Sequence, residues 1–313
     1  MTICPVCKND QEKLFLCKVS LVLGFEYDLV ECQNCGVIYF DPLPTVDQLN
    51  RFYSASYYNF NRWHDEAKGK IYAKKLTKLK KNGRFLDVGC STGFFINAIK
   101  NNSSWEVYGV DFGQDAVQFA REKLHLDVER GNLQDAAFPD RYFDYIHLNN
   151  VLEHVPDPLS LLKECKRIVK PGGTFFLSVP NGKNDSRGLI DFYQSEHIPA
   201  RSVNGHIFFF PSKTLLTLFA EIGFTVKSRK TGSIKRGLRN SGLLRKKKNW
   251  KQQYFPQEPN TRKKNALTVT GKKKYPGFYY NYRYIQNSLR NIPGLHDFGL
   301  DFTFILKPDK EST

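Results

Sequence analysis

The stretch that decides the fold class is Phe85-Leu86-Asp87-Val88-Gly89-Cys90-Ser91-Thr92-Gly93. It begins as a short apolar run, turns at Gly89, and leads into residues 94–100, which have helical character. A strand that passes through a glycine-bearing turn into a helix is the first half of a βαβ unit. Glycine allows the backbone to approach a ligand closely, and the free N–H groups of the following helix can bind it. The stretch therefore predicts a fold class and a binding loop together.

Strand-like and helix-like segments alternate after this stretch. The strand-like segments are residues 105–111, 128–131, 143–149, 174–179, 224–228 and 300–307. The helix-like segments are residues 114–124, 159–169 and 212–222. Such alternation predicts an α/β fold with a mostly parallel sheet. Sheets of this kind bind ligands outside the carboxyl ends of their strands.

The glycine-bearing turn allows two interpretations, of which a dinucleotide site is one. The dinucleotide pattern G-x-G-x-x-G is not matched, because Ser91 stands where the second glycine would be. In addition, Asp87 lies just before the turn. A carboxylate there would repel a pyrophosphate but would suit the ammonium group of a methionine moiety.

Two segments carry a resemblance to a known family. Residues 87–93, DVGCSTG, resemble motif I of class I methyltransferases that depend on S-adenosylmethionine (SAM), whose usual form is DVGCGTG. Residues 143–158 resemble the FD…LEHVPDP signature of the same family. The resemblance implies an α/β, Rossmann-like sheet of seven strands with the last strand antiparallel. It also implies a methyltransferase with SAM as its cofactor.

The resemblance assigns a cofactor role to ten residues. Asp111, at the end of the second strand, matches the acid that binds the ribose hydroxyls, and Asn132 stands where the family usually has an acid facing adenine. Leu133 would pack on the adenine ring, and Asn149 would line the methionine part of the cofactor. The expected cofactor-binding residues are Asp87, Gly89, Cys90, Ser91, Gly93, Asp111, Phe112, Asn132, Leu133 and Asn149.

Two histidines, His154 and His206, are candidate catalytic residues. His154 could act as a general base with a pKa near neutrality. Glu153 and His154 could equally orient their loop and cap the next helix, and this structural role is the one we favour. His206 matches a histidine that recurs in similar proteins before a helix, although a histidine beside four apolar residues is more often a packed residue.

The cysteines indicate a metal site near the N-terminus. Cys4 and Cys7 form one C-x₂-C pair, and Cys32 and Cys35 form another. Two such pairs are typical of a tetrahedral zinc site, and four thiolate ligands leave no position for water, so the zinc would be structural. Residues 14–19 and 25–30 are strand-like, which predicts a zinc ribbon with Cys17 in its core.

The formal charge of +16 is unevenly distributed along the chain. Residues 227–283 hold 18 Lys or Arg and one acid, a formal +17, and this leaves about −1 for the rest of the chain. Many aromatic residues are mixed with these cations. Such a segment can bind nucleic acid, an anionic membrane surface, or an acidic glycan or lipid-linked sugar. It can also be a solvated loop that covers an edge of the sheet.

The chain divides into five regions on these patterns. They are a zinc ribbon (1–41), a helical linker (42–82), a SAM-binding methyltransferase domain (83–232), a basic aromatic insertion (233–299), and a last strand with a tail (300–313). The insertion follows a parallel strand, so it is expected to leave the sheet on the cofactor side.

Several functions are compatible with these regions. The ribbon and the catalytic body together resemble a broad methyltransferase group that often modifies sugars and other small metabolites. We therefore expect a small-molecule, sugar or glycolipid acceptor, with an anionic one favoured by the insertion. The alternatives are an RNA methyltransferase whose insertion binds phosphates, and a non-catalytic SAM-binding protein.

Peripheral membrane contact through the insertion is a further expectation. The chain has no long apolar run and no signal-peptide pattern, which favours the cytoplasm.

Overall fold

The computed structural model describes residues 3–10, 13–21, 24–56, 62–233, 237–239, 243–244, 249–255 and 300–309. Most of the basic aromatic insertion, including Arg245, Lys246, Lys247 and Lys248, lies outside the described residues. No helix of the described part combines the length and the apolar character that crossing a membrane requires.

The described elements are twelve strands and seven α-helices. The strands are β1 (Lys13–Ser20), β2 (Glu26–Cys32), β3 (Ile38–Asp41), β4 (Arg84–Val88), β5 (Glu106–Asp111), β6 (Asp127–Arg130), β7 (Phe143–Asn149), β8 (Val169–Pro180), β9 (Ala200–Arg201), β10 (Phe208–Phe209), β11 (Phe224–Gly232) and β12 (Asp301–Pro308). The helices are α1 (Val46–Ser56), α2 (Arg62–Leu79), α3 (Phe94–Lys100), α4 (Gln114–Leu124), α5 (Pro158–Ile168), α6 (Gly182–Glu196) and α7 (Ser212–Ile222). Short 3-10 helices span Leu152–His154 and Trp250–Tyr254.

A seven-stranded sheet forms the larger layer, in the order β11-β12-β8-β7-β4-β5-β6. Strands β4 to β8 pair in parallel, and β12 pairs antiparallel with both β8 and β11. The Rossmann-like sheet with an antiparallel last strand that the sequence predicts is confirmed. Strand order reverses at β4, because β5 lies on one side of it and β7 on the other. A ligand of an α/β sheet binds at such a switch point.

Strand β4 is buried on both faces, as expected for a central parallel strand. Leu86 and Val88 join the core beneath α5 and α7, whereas Phe85 packs with Phe95 of α3 and Leu76 of α2. Burying a side chain of this size contributes about 1.5–3 kcal/mol. The packing on both faces holds the strand in place, and the turn that follows it is fixed in consequence.

A smaller, five-stranded sheet lies beside this layer, in the order β10-β3-β2-β1-β9. Strands β1 and β2 match the two strands predicted in the zinc ribbon, and Cys17 is fully buried between them as expected. The short strands β9 and β10 come from the region after α6, within the predicted methyltransferase domain. The N-terminal module therefore shares a sheet with β9 and β10, and His206 lies on the segment between these two strands.

Helix α6 follows β8 directly and was not among the helices predicted from the sequence. Its first residue is Gly182, and a Cβ atom there would lie 2.2 Å from the backbone carbon of Phe209. The helix therefore packs closely against β10. This contact brings the first turn of α6 next to His206.

Candidate active site

The loop after β4 is a tight bend at the carboxyl end of the sheet. Three of its residues have positive φ angles: Gly89 (76°), Ser91 (53°) and Gly93 (79°). The backbone N–H groups of Gly89 and Cys90 both donate to the carbonyl of Val110, at 2.8 and 3.1 Å. The left-handed conformation is the one that glycine adopts most easily. The left-handed φ angle of Ser91 therefore explains why the motif that this loop resembles usually has a glycine at this position.

Asp111 closes this loop from the end of β5. Its Oδ2 accepts the backbone N–H of Ser91 at 2.7 Å, and its Oδ1 accepts that of Gly113 at 2.8 Å. Burial raises the pKa of Asp111, although these two donors act against the rise. A carboxylate has about four lone-pair sites, so Asp111 keeps acceptor capacity for two further hydroxyl groups.

Asp87 lies one layer deeper than the loop, under helix α2. Its Oδ1 is 2.6 Å from Nδ1 of His147, its neighbour on β7, and both side chains are buried. Burial is the largest cause that lowers the pKa of His147, to about 4. Lys68 of α2 lies in the same region, with its Nζ 4.7 Å from the ring centroid of Phe95. Its charge acts on Asp87, and burial lowers its own pKa. Neither His147 nor Lys68 was among the site residues predicted from the sequence.

The other predicted cofactor residues follow β4, β5, β6 and β7. Asn132 lies after β6 and bonds to Asp135, from its backbone N–H at 3.3 Å and from Nδ2 at 3.2 Å. Leu133 is buried in the core, whereas Phe112 is 47% exposed. Cys90 is buried, and Asn149 ends β7. The structure thus brings Gly89, Cys90, Ser91, Gly93 and Asp111 into one junction, with the others around the same sheet edge.

A second cluster lies at this edge and consists of Glu153, His154 and His206. The Oε1 atom of Glu153 is 3.9 Å from Nε2 of His154 and 3.8 Å from Nε2 of His206. The two imidazole rings meet edge to face, with centroids 4.8 Å apart. Val151 connects this cluster to the loop after β4, because a Cβ atom on Gly89 would lie 2.4 Å from its Cγ2. The cluster therefore adjoins the cofactor junction.

Each histidine of the cluster is held through its Nδ1 atom. Nδ1 of His154 lies 3.1 Å from the carbonyl oxygen of Gly205, and Nδ1 of His206 lies 2.6 Å from Oδ2 of Asp185. Both rings therefore direct Nε2 toward Glu153. Asp185, on the first turn of α6, was not identified from the sequence, since no motif surrounds it.

The charges of this cluster are tightly linked. Burial raises the pKa of Glu153 to about 8. Burial and the neighbouring His206 lower the pKa of His154 to about 3. Burial also acts against protonation of His206, but Asp185 and Glu153 outweigh it and raise the pKa of that histidine. Glu153 and His154 do not cap the next helix, because the cap of α5 is Asp157, whose Oδ1 accepts the backbone N–H of Ser160 at 3.0 Å.

The four N-terminal cysteines form one cluster, as their spacing predicts. The Sγ atoms of Cys4 and Cys35 are 3.9 Å apart, and those of Cys7 and Cys32 are 3.7 Å apart. Each C-x₂-C pair forms a turn in which the fifth residue, Lys8 or Gly36, donates its backbone N–H to the carbonyl of the first cysteine. Both of these fifth residues have positive φ angles. The two halves of the site are therefore built alike.

A described part of the basic insertion contacts helix α6. The 3-10 helix Trp250–Tyr254 places Tyr254 against Gly188. A Cβ atom added to Gly188 would lie 2.0 Å from the hydroxyl oxygen of Tyr254. Phe255 meets Phe192 edge to face at 5.0 Å, and Lys251 pairs with Glu196 at 2.5 Å. The insertion therefore returns to the helix that carries Asp185.

Comparisons with known proteins point to one family. The family described as "Methyltransferase domain" matches residues 60–229, more than half of the chain. The demethylmenaquinone methyltransferase of Bacillus licheniformis is 32% identical over 133 residues, which cover 41% of this chain and 54% of that protein. That of Anoxybacillus flavithermus is 36% identical over 107 residues, covering 32% and 45%. The ubiquinone biosynthesis O-methyltransferase of Acinetobacter baylyi is 30% identical over 164 residues, covering 48% and 63%. The chain thus spans less than two thirds of the length of these relatives.

Proposed function

This chain belongs to the methyltransferase domain family, and we propose on that basis that it transfers a methyl group from SAM to a small-molecule acceptor. The observation that carries the proposal is the junction at the switch point of the sheet, where Asp111 holds the loop containing Ser91. A narrow glycine-bearing loop and a carboxylate with spare acceptor capacity suit a nucleoside with two ribose hydroxyls. When bound there, SAM supplies an electrophilic methyl group.

The residues of this chain would hold SAM through three kinds of contact. Asp111 would accept the ribose hydroxyls, and Asn132 would face the adenine with Leu133 beneath it. Gly89 would allow the backbone to approach the cofactor, with Cys90, Ser91 and Gly93 completing the loop. Asp87 would attract the ammonium group of the methionine moiety, from a position that it shares with His147. Phe112 and Asn149 would border the cofactor on either side.

The acceptor side of the site is proposed to be the cluster of Glu153, His154 and His206. It adjoins the junction through Val151, and both histidines present Nε2 toward one carboxylate. Groups of this kind can orient a hydroxyl of the acceptor and assist the loss of its proton. The relatives include a methyltransferase of ubiquinone biosynthesis named as an O-methyltransferase, which supports an acceptor hydroxyl. A sugar or glycolipid hydroxyl remains part of the proposal.

The four N-terminal cysteines are proposed to bind a structural zinc ion. Tetrahedral zinc with Zn–S distances of about 2.3 Å places its sulfur atoms about 3.8 Å apart. The observed separations of 3.9 and 3.7 Å fit this geometry. The ion would fix the ribbon that shares its sheet with β9 and β10, and would thereby help to position His206.

The basic insertion is proposed to favour an anionic acceptor. Residues 227–283, most of which belong to the insertion, carry a formal +17, whereas the rest of the chain is near neutral. Residues 250–255 of the insertion pack on α6, the helix that carries Asp185. The same positive charge could instead bind the phosphates of RNA. The second proposed function is therefore that of an RNA methyltransferase. Contact with an anionic membrane surface is also compatible with it.

Transfer of labelled methyl groups from SAM distinguishes these functions. Purified protein would be offered hydroxylated quinone precursors, sugar nucleotides, glycolipids and RNA in parallel, with the Asp111→Asn variant, whose SAM affinity should be lower, as the control. Label in a small molecule or glycolipid is the expected result. Label in RNA would favour the second function, whereas SAM binding with no transfer to any acceptor would indicate a binding protein.

A further inference from the structure

In the cluster of Glu153, His154 and His206, both carboxylate oxygens of Glu153 are buried without a hydrogen-bond partner among the described residues, which a role in orienting the acceptor does not explain. We infer that these three residues bind one divalent transition-metal ion next to the cofactor junction. Their ligand atoms, one carboxylate oxygen and two imidazole nitrogens, all lie within 4.8 Å of one another. Two imidazoles and one carboxylate are a donor set that first-row divalent metals accept.

The distances leave room for an ion between the three side chains. Oε1 of Glu153 is 3.9 Å from Nε2 of His154 and 3.8 Å from Nε2 of His206. Three ligands that bind one ion at about 2.1 Å lie about 3 to 3.5 Å from one another. The observed separations exceed these values by less than 1 Å.

The histidines are oriented in the way that metal ligands usually are. A ligating histidine commonly donates its other ring N–H to a carbonyl or a carboxylate, which fixes the tautomer and the ring. Gly205 provides the carbonyl for His154, and Asp185 provides the carboxylate for His206. Both Nε2 atoms then present lone pairs to the space beside Glu153.

The burial of Glu153 is a second observation that points to a bound cation, independent of the donor set. Its side chain is only 1% exposed, and neither carboxylate oxygen has a hydrogen-bond partner among the described residues. A carboxyl group buried without a partner is unfavourable in either protonation state, and strongly so when it is ionised. A protonated His206 does not remove the problem, because 3.8 Å is too long for a hydrogen bond and its Nδ1 already faces Asp185. A cation between the three side chains satisfies Glu153 directly.

The donor set also indicates which ions fit. Imidazole nitrogen favours Zn²⁺, Fe²⁺, Ni²⁺ or Cu²⁺ over Mg²⁺, Ca²⁺ and Mn²⁺, which prefer oxygen ligands. Three protein ligands leave at least one coordination position open. An oxygen atom of the acceptor would occupy that position. This last use of the ion rests on the proposed function, whereas binding of the ion does not.

Cobalt substitution tests the inference without any methyl acceptor. The full chain is prepared with Co²⁺ in place of other metals, and bound cobalt per chain is counted. The cysteine site gives thiolate-to-cobalt charge-transfer absorption, whereas a site of two histidines and a glutamate gives only ligand-field bands. We expect two cobalt ions per wild-type chain. Glu153→Gln should lose one ion together with its ligand-field bands, while the charge-transfer absorption stays unchanged.

Two controls make the outcome unambiguous. His125→Asn removes an exposed histidine at a position with a φ of 50°, which asparagine tolerates, and it should keep both ions. The unchanged charge-transfer absorption reports that the Glu153→Gln chain is folded, and His206→Gln gives a second test of the same loss. One cobalt ion in the wild type, or equal cobalt in wild type and Glu153→Gln, would overturn the inference. Methyl transfer that persists in a chain without the second ion would leave the proposed function intact.

Discussion

The backbone N–H of Ser91 donates to Oδ2 of Asp111 at 2.7 Å, and this bond joins the loop after β4 to the end of β5. The second oxygen of the same carboxylate accepts from Gly113 at 2.8 Å. The carboxylate is therefore fixed before any ligand arrives. A group held in this way loses little conformational freedom when it binds a ligand.

Gly89→Ala should lower the free energy of unfolding by more than the strain of its positive φ angle alone would. Gly89 has a φ of 76°, and an added Cβ would lie 2.4 Å from Cγ2 of Val151. Gly172 is a matched control, with a φ of 75° and no atom within 4 Å of an added Cβ. Gly172→Ala should lower the free energy of unfolding by about 1 kcal/mol through backbone strain, with unchanged SAM affinity. Gly89→Ala should cost a further ~1–3 kcal/mol and weaken SAM binding. Urea unfolding measures the free energy of unfolding, and calorimetry measures the affinity for SAM. Equal losses of stability and equal SAM affinities in the two variants would refute the contact between Gly89 and Val151.

The zinc proposal predicts a selective loss of metal. Cys35→Ser should release the zinc and lower the thermal stability of the ribbon sheet, because a structural ion contributes directly to folding. Cys17→Ala is the control, since Cys17 is buried in the same sheet but is not a ligand. It should lower stability while the zinc content stays the same. Elemental analysis of both variants decides the matter, and zinc retained in full by Cys35→Ser would contradict the assignment.

His147 should make the protein less stable as the pH falls below neutrality. Its pKa is about 4 in the folded chain and about 6.5 in the unfolded chain, so the folded state resists protonation. The stabilising contribution is complete above about pH 6.5 and is lost progressively as the pH falls toward 4. Between pH 7 and pH 5 the loss should be about 2 kcal/mol. The groups that face His147 are Asp87, Lys68, Lys75 and Tyr72.

Urea unfolding at these two pH values measures this contribution. His147→Gln cannot become protonated, so its free energy of unfolding should fall by about 2 kcal/mol less than that of the wild type over the same interval. Identical pH dependence in the two proteins would show that His147 is not held neutral in the fold.

Much of the site could be predicted because its signals are local in the chain. The turn at Gly89, the acid at Asp111 and the cysteine pairs each depend on a few consecutive residues. Strand β12 was also identified, since its apolar run stands apart from the basic segment before it. These features need no knowledge of which segments meet in space.

The features that sequence reasoning missed depend on contacts between distant segments. Asp87 meets His147 because β4 and β7 pair in one particular register, and a register cannot be deduced from either strand alone. Asp185 reaches His206 from a helix whose polar first turn, Gly182-Lys183-Asn184-Asp185, lacks an apolar pattern. Strands β9 and β10 have two residues each, too few to show alternation.

Titration calorimetry of SAM against the purified full chain tests the central claim most directly. We expect one SAM per chain for the wild type and for Asp115→Asn, an exposed acid on the first turn of α4. Asp111→Asn removes a charged acceptor of hydrogen bonds worth about 1.5–3 kcal/mol, so its affinity should fall by roughly 10- to 150-fold. Absence of SAM binding in the wild type, or equal affinity in wild type and Asp111→Asn, would contradict the account.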